Sequence, residues 1–575
     1  MRSSLSSSIV ASALGVAVAV SCGLFASASV AADGPRTVYT ADTQSLMEAP
    51  AIGTADFVRA WVQRETAKVP ITTYVQDAAL PDMCMYDSKV GEVFGDRFGN
   101  DLARLKTPTD RNQALAIRAL RQEGTDVLRI VAQTLRPRGI EVLAGVRMSD
   151  THHGQIAFDV PLCPRFTIDH PEWVIRQPDD RGNETAMDYS IPGVREHRLA
   201  ILRELAARPE LDGLELNFIR WGKHFPRDQG AAKAPVMTEF VGRVRALLDM
   251  AASSRGAKRP VLGVRVPEGL RECWLAGVDI EAWVRNGWID YVVASPYNES
   301  TPQLAVDEFR RFTQGRTQLL VSMGDMIGGV SSEPPRITGR GLAQFKESYA
   351  GLLMTPAEAR AMAGNFYAWG ADGIAFWNVG TKMGLGGGKL GLSPAQARAQ
   401  QERIWSWMNA ALDRQGIERE ERHYHFLPLH KWATIPAPPI RNYAWYGQGQ
   451  SPLGTLTTQI LQFPTSETGI RKAYRFRMAD GRDGRGVTAL VRFKIFHLDA
   501  ADAIEVDLNG RPMGAADVRR SMLDATALGL PGVQFELALT NWPYFQGDNV
   551  LGLIVHHRTN RAAVPYLEEL EVIVR

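Results

Sequence analysis

Cysteine is nearly missing from this chain: four in 575 residues, Cys22, Cys84, Cys163 and Cys273. So sparse a set excludes a disulfide framework; at most one bridge could form among the last three. A surplus of charge is missing as well. Lys and Arg total 65 against 63 Asp and Glu, a net charge of +2, and the basic residues are dispersed along the chain. That balance carries no footprint of nucleic-acid or membrane-surface binding. Beyond the first 32 residues no apolar run approaches the ~20 residues of a membrane span.

Residues 1–31 read as a secretory signal peptide. Arg2 is an early positive charge, Ile9–Val20 is a short apolar core, and Ser29-Val30-Ala31 fits a small-x-small cleavage site. Lipid attachment at Cys22 is the poorer reading, because Ala19 stands three positions before it and apolar sequence continues past it. The mature protein is expected to be exported, periplasmic or extracellular, with cleavage near Ala31. The remainder exceeds one typical domain and implies two or three. Thirteen Trp residues suit ordinary packing first, and platforms on which sugar rings stack second.

From about residue 70, strand-like and helix-like segments alternate. Strands are expected at Ile71–Asp77, Ile140–Arg147, Ala186–Tyr189, Leu214–Ile219, Val261–Val266, Ile289–Ala294, Gln318–Ser322 and Gly373–Trp377. Eight strands with intervening helices predict a (β/α)₈ TIM barrel, placed at residues 64–415, with long loops. In such barrels reactive groups sit at the C-terminal strand ends. Those ends carry Asp77; Arg147 and Asp150 with His152 and His153; Asp188; Glu215 and Asn217; Arg265 with Glu268; Tyr297, Asn298 and Glu299; Asp325; and Trp377 with Asn378.

The fourth of these segments is the expected centre. In Leu211–Trp221 the apolar Leu214, Leu216 and Phe218 alternate with Glu215 and Asn217, which sends the polar pair inward. A buried carboxylate is costly unless it is paired or reactive. Glu215 is therefore either a catalytic acid or a core residue paired with an arginine such as Arg147 or Arg265. Glycoside cleavage needs a second carboxylate, about 5–5.5 Å away for retention or about 6.5–9.5 Å for inversion. Glu268 ranks first for that role, with Asp150 and Glu299 behind it.

Met187-Asp188-Tyr189, Pro192 to Arg195, Leu211 to Arg220, Gly287 to Tyr291 with Ser295-Pro296-Tyr297, and Arg147-Met148-Ser149-Asp150-Thr151-His152 together resemble the glycosyl hydrolase-like 10 group of secreted bacterial barrels. The resemblance covers about residues 70–410 and implies a TIM barrel and a carbohydrate-related role. Residue by residue, the group's inward Asp at the end of the fourth strand falls on Asn217. An amide cannot serve as nucleophile or general acid in the two-carboxylate mechanism. Either Glu215 takes over, or the barrel binds glycan without cleaving it. A lyase acting on uronate-rich glycans is a third reading.

Arg147, His152, His153, Arg220 and Arg265 suit substrate contacts, since arginine forks fit the carboxylates of acidic sugars, and ion pairing among themselves is the structural alternative. Trp377 and Tyr297 suit stacking, with Asn217, Glu299, Asp325 and Asn378 as further substrate contacts. Adjacent His152 and His153 point apart, so no metal set is expected, nor any cofactor. Gly384–Lys389 fails the spacing of a phosphate loop at Met383 and Leu390. His423, His425 and His430 lie past the last barrel helix and read as structural. A connecting segment is placed at 416–465, rich in Pro at 436–439 and in Gly, Gln and Ser at 447–454. Short strands from 466 to 575, with the hairpin signal Asn509-Gly510, predict a jelly-roll-type β-sandwich, more a buttress than a glycan-binding module. The leading expectation is an exported glycosidase acting on a polysaccharide or oligosaccharide. Sugar identity, linkage and oligomeric state are not written in this pattern.

Overall fold

The computed structural model describes residues 34–575 except 51, 177–184, 221, 297–299, 301, 325–353, 384–392, 427–460, 482–487, 525–530, 540–545 and 560–561, and the side chains at 381–382 and 568–569. The leader, Cys22, Trp221, Tyr297, Asn298, Glu299, Asp325, the loop at 384–389, His430 and the stretches at 436–439 and 447–454 lie outside the described residues.

Eight parallel strands close into a barrel: β1 Thr37–Ala41, β2 Thr73–Ala79, β3 Glu141–Arg147, β4 Gly213–Asn217, β5 Val261–Pro267, β6 Tyr291–Ser295, β7 Gln318–Met323 and β8 Gly373–Trp377. Closure comes from β1, which pairs with β2 on one side and β8 on the other. This corrects the sequence reading at the front of the barrel. The first strand is Thr37–Ala41, ahead of the expected start at 64. Ala186–Tyr189 is no barrel strand; Met187 makes one isolated antiparallel bridge to Val174. Asp188 instead receives the Ser190 N–H at 2.7 Å just before a helix begins. The strand count stays at eight because the missed strand and the false one cancel.

Helices cover the outside: α1 Ala55–Glu65, α2 Val127–Leu135, α3 Pro192–Ala206, α4 Gly230–Ser253, α5 Ile280–Arg285, α6 Val306–Thr313, α7 Pro356–Ala368 and α8 Pro394–Leu412. Their starts follow local chemistry. Thr54 and Asp126 cap α1 and α2, and α7 and α8 carry full capping boxes, Thr355 with Glu358 and Ser393 with Gln396, each with Pro at the first position. Inside the barrel Val38, Val75, Leu143, Tyr291, Val293, Leu320 and Ala375 form a dry layer. Below it Arg36 donates to Thr73 Oγ1 and pairs with Glu141, plugging the N-terminal end. Truncating a filled position of that layer, such as Leu320→Ala, costs about 2–5 kcal/mol in cores of this kind.

The C-terminal region has β9 Arg422–Phe426, β10 Lys472–Met478, β11 Ala489–Phe496, β12 Ala503–Leu508, β13 Val518–Met522, β14 Gly532–Leu539, β15 Gly547–His557 and β16 Tyr566–Val574. They form two antiparallel sheets, β9-β16-β11-β14-β13 and β10-β15-β12 with the short Arg511–Pro512 strand. Phe493 and Phe535, stacked 4.8 Å apart, join Tyr474, Leu537, Leu551 and Val572 in the core between them. Asn509 and Gly510, both at positive φ (55° and 78°), make the expected two-residue turn from Leu508 to Arg511. The first strand, β9, comes from within the expected connecting segment. Gln303 donates to Tyr474 Oη at 2.8 Å, and Asn365 of α7 donates to Arg477 O at 2.9 Å, tying the sandwich to the barrel. Cys84, Cys163 and Cys273 are buried free thiols, and among the described residues no helix is long and apolar enough to cross a membrane.

Candidate active site at the barrel mouth

Register places one ring of inward residues across five adjacent strands: Asp77 opposite Gly145, then Glu215, Gly263 and Tyr291. The two glycines are there for room. A Cβ at 145 would stand 2.6 Å from Asp77 Oδ1, and one at 263 would stand 2.0 Å from Tyr291 Cζ. One layer nearer the mouth, Arg147 sits above Gly145 and Arg265 above Gly263, as successive inward positions of a strand must.

Arg147, 2% exposed, is met by three carboxylates. Its Nη2 lies 2.8 Å from Asp42 Oδ1, Nε donates to Asp77 Oδ2 at 3.1 Å, and Nη1 to Asp150 Oδ2 at 2.9 Å. One positive charge cannot offset three negative ones in a dry interior, so the acid with the poorest hydrogen-bond supply keeps its proton. Asp42 also receives the Thr43 N–H at 2.8 Å, and Asp150 receives the His152 N–H at 2.8 Å with His152 Nδ1 at 2.7 Å. Asp77 has only Arg147; its Oδ1 is buried with no partner among the described residues. Burial, with Asp42 and Glu215 adding repulsion against the pull of Arg147, pushes Asp77 up to about 7. Asp42 and Asp150 move the other way. Burial opposes the shift in both, but Arg147 and the Thr43 N–H hold Asp42 below the ordinary carboxylate range, and His152 and Arg147 do so for Asp150.

Beside this cluster, His152 Nε2 lies 3.0 Å from Arg220 Nη2. Guanidinium only donates, so Nε2 accepts there and Nδ1–H points at Asp150. Asn217 shapes the approach: its Oδ1 accepts the Ile219 and Arg220 N–H groups at 3.1 Å each, folding the exit of β4, while its buried Nδ2 has no partner among the described residues. His153 is buried, and burial lowers its basicity.

The Arg265 side is built differently. Arg265 is fully buried and donates to Ser322 Oγ at 2.7 Å, Thr40 Oγ1 at 2.9 Å and Ser295 Oγ at 3.2 Å, with the Trp377 ring 4.9 Å from its Cζ. Its carboxylate partner is Glu215, at 3.4 Å. Glu215 Oε2 accepts from Tyr291 Oη at 2.8 Å and Oε1 from Thr40 at 3.4 Å. Burial and the neighbouring Glu215 keep the Tyr291 phenol protonated, as a donor to that carboxylate. Glu215 thus lies in the ring below Arg265, with both oxygens engaged. Glu268, one residue past β5, is buried. Asn378 sits in the left-handed region (φ 52°), its N–H bonded to Thr40 O at 2.8 Å, where the chain turns out of β8.

Of the expected residues, Arg147, Asp150, His152 and Arg220 are joined in one hydrogen-bonded cluster, with Asn217 shaping the turn that carries Arg220. Glu215, Arg265 and Trp377 belong to the neighbouring one. Asp42, at the end of β1, escaped sequence reasoning because that strand was not read; the signal was Thr37-Val-Tyr-Thr-Ala41, a β-branched and aromatic run ending on an acid. Asp77 was seen only as a strand end. Among the described residues no three His, Cys, Asp or Glu side chains are arranged to hold a metal ion.

No family model matches the chain, and no curated protein matches it. Among solved structures it is similar to the PgaB (BpsB) glycoside hydrolase domain from Bordetella bronchiseptica, with a TM-score of 0.36 and 11% identity over 65% of this chain and 99% of that one. It is similar too to a glycoside hydrolase family 18 N-acetylglucosaminidase from Paenibacillus barengoltzii (0.35, 10% identity, 66% and 99%) and to an α-galactosidase from Thermus thermophilus (0.33, 14%, 65% and 61%). Likeness at these scores bears on neither chemistry nor substrate.

Proposed function

We propose that the barrel mouth hydrolyses O-glycosidic bonds of a polysaccharide or oligosaccharide. The observation that carries this reading is the set of three carboxylates around the one buried Arg147, of which Asp77 has an oxygen with no partner among the described residues. Glycoside hydrolysis needs one carboxyl that holds its proton near neutrality and one that is ionised, and pairs whose environments push them apart mark the acid and the base. Asp77 is assigned the general acid, giving its proton to the leaving oxygen. Asp42 is the ionised partner, nearer solvent at the end of β1. Asp150 fixes Arg147 and His152, and Arg220 with His152 faces the substrate. Glu215, in the same ring as Asp77, supports it: it orders Arg265 and its charge helps Asp77 retain its proton. Glu268, just past β5, is a further contact, and Tyr297, Glu299 and Asp325, outside the described residues, keep the substrate-contact roles expected from the sequence. The motif resemblance to the glycosyl hydrolase-like 10 group agrees with this chemistry.

Reducing-end release from a panel of neutral and acidic polysaccharides tests it. Release by the wild type, abolished in Asp77→Asn and only lowered in Glu215→Gln, is the expected result. Loss with Glu215→Gln but not with Asp77→Asn would return the acid to Glu215. Release accompanied by the ultraviolet absorbance of an unsaturated uronide would indicate a lyase. A second reading, glycan binding without cleavage, is favoured by one feature: Asn217 places an amide where the resembling group has a carboxylate. Binding without release, with release appearing in Asn217→Asp, would establish it. We also infer export, from the leader-like residues 1–31; the mass of the protein recovered from the periplasm or medium checks it, a start near Ala32 being expected.

A further inference from the structure

The face opposite the mouth holds a cavity of about 530 Å3 at the N-terminal ends of β3, β4 and β5. Its walls are mixed: Ile140, Leu211 and Pro260 supply apolar surface, and Arg136, Arg255, Lys258 and Arg259 supply charge. These four cations are dispersed in sequence, and the fold gathers them. The two acids in the lining are already engaged. Asp212 pairs with Arg136 at 3.2 Å and accepts the Val142 N–H at 2.9 Å, while Glu141 is held by Arg36 and Thr73. Arg259 bonds Asp290 at 2.7 Å.

Arg255 and Lys258 differ. Arg255 Nη1 donates only to backbone, Ala207 O at 2.9 Å and Ala206 O at 3.2 Å, and neither residue has a carboxylate partner among the described residues. Arg255 lies in the turn that ends α4, and Lys258 follows two residues past it. There Ala257 N–H bonds Ala252 O at 3.0 Å, and Gly256 takes positive φ (60°), the left-handed closure of a helix C-terminus. That turn delivers a guanidinium fork and an ammonium to one rim. A cavity of a few hundred Å3 with an apolar floor and a few convergent charges has the size and make-up of a small-ligand site.

We propose that this cavity binds a sugar-sized organic anion, a ring seated on Ile140, Leu211 and Pro260 with one carboxylate or phosphate held by Arg255 and Lys258. The site is separate from the mouth and does not depend on the chemistry there. Calorimetric titration of the full chain with glucuronate and with glucose 6-phosphate, using glucose as the neutral control, tests it. Binding of either anion, weakened by salt and absent for glucose, is expected; which anion binds distinguishes a uronate from a phosphate source. Lys258→Gln, an exposed change, should weaken binding several-fold, and Arg255→Gln with Lys258→Gln by roughly tenfold or more. Should the double variant fold poorly, Lys258→Gln alone still decides. Glucose binding as well as the anions, no anion binding at all, or affinity unchanged by Lys258→Gln would each overturn the proposal.

Discussion

Strands β3 and β5 carry the same tripeptide, Gly-Val-Arg, at 145–147 and 263–265, and flank β4 symmetrically. In both, the glycine leaves space for a neighbour's side chain and the arginine is buried above it. What differs is the company. Arg147 faces three aspartates, and Arg265 faces three hydroxyls and one glutamate. The acid-rich side has more negative charge than its arginine can offset, so one acid retains a proton and becomes a donor. The hydroxyl-rich side is balanced, and in the proposed mechanism it supports. Residue type alone does not separate a working carboxylate from a structural one; the charge count around it does.

The largest expected contrast is in activity. Asp77→Asn should lower glycan release by roughly 10²–10⁴-fold, the range for removing a general acid, while Glu215→Gln acts mainly through stability. Steady-state release and melting curves on both variants separate the two effects.

Next comes stability. Arg147→Gln leaves a buried group of carboxylates without their cation and should cost about 3–5 kcal/mol. Arg265→Gln should cost less, since it strips only one carboxylate of its cation and Glu215 keeps the Tyr291 and Thr40 hydroxyls as donors. Equal losses in denaturant unfolding would remove the distinction between the two sides.

The glycines sharpen the same contrast. Gly263→Ala forces a methyl into the Tyr291 ring, an overpacking worth about 1–3 kcal/mol. Gly145→Ala presses on Asp77 and should reduce release more than it reduces stability. Both variants are read by melting and by release.

The pH dependence is the most diagnostic effect. Asp77 binds its proton more tightly folded than unfolded, where an aspartate titrates at about 3.9. Its contribution to stability is full below about pH 4 and is lost as pH rises toward about 7. Asp42 and Asp150 do the reverse: their contribution is present above the unfolded value and is lost as pH falls. Melting curves of wild type against Asp77→Asn between pH 4 and 8 should show the variant lacking the decline between about pH 4 and about 7.

Much of this was legible in the sequence. Apolar and β-branched runs alternating with helix-like segments located seven of the eight barrel strands, and Asn509-Gly510 fixed a hairpin, because both are local. The first strand was hidden by its place beside the leader, ahead of the segment where strands and helices alternate, and with it went Asp42. Glu215 stood out because an inward carboxylate is costly on its own strand. That Arg265, Tyr291 and Thr40 would saturate it depended on strands far apart in sequence. Asn217 reads as a lost acid from motif comparison; in the fold its amide oxygen caps the exit of β4.

The most direct measurement is a carbon-13 NMR titration of aspartate carboxyl carbons in the full chain, with Asp77→Asn to assign the signal. The account predicts one aspartate titrating near 7, absent from the variant. If every aspartate were ionised by about pH 5, as unperturbed carboxyls are, the Arg147 cluster would hold no proton donor and the proposed acid would be wrong.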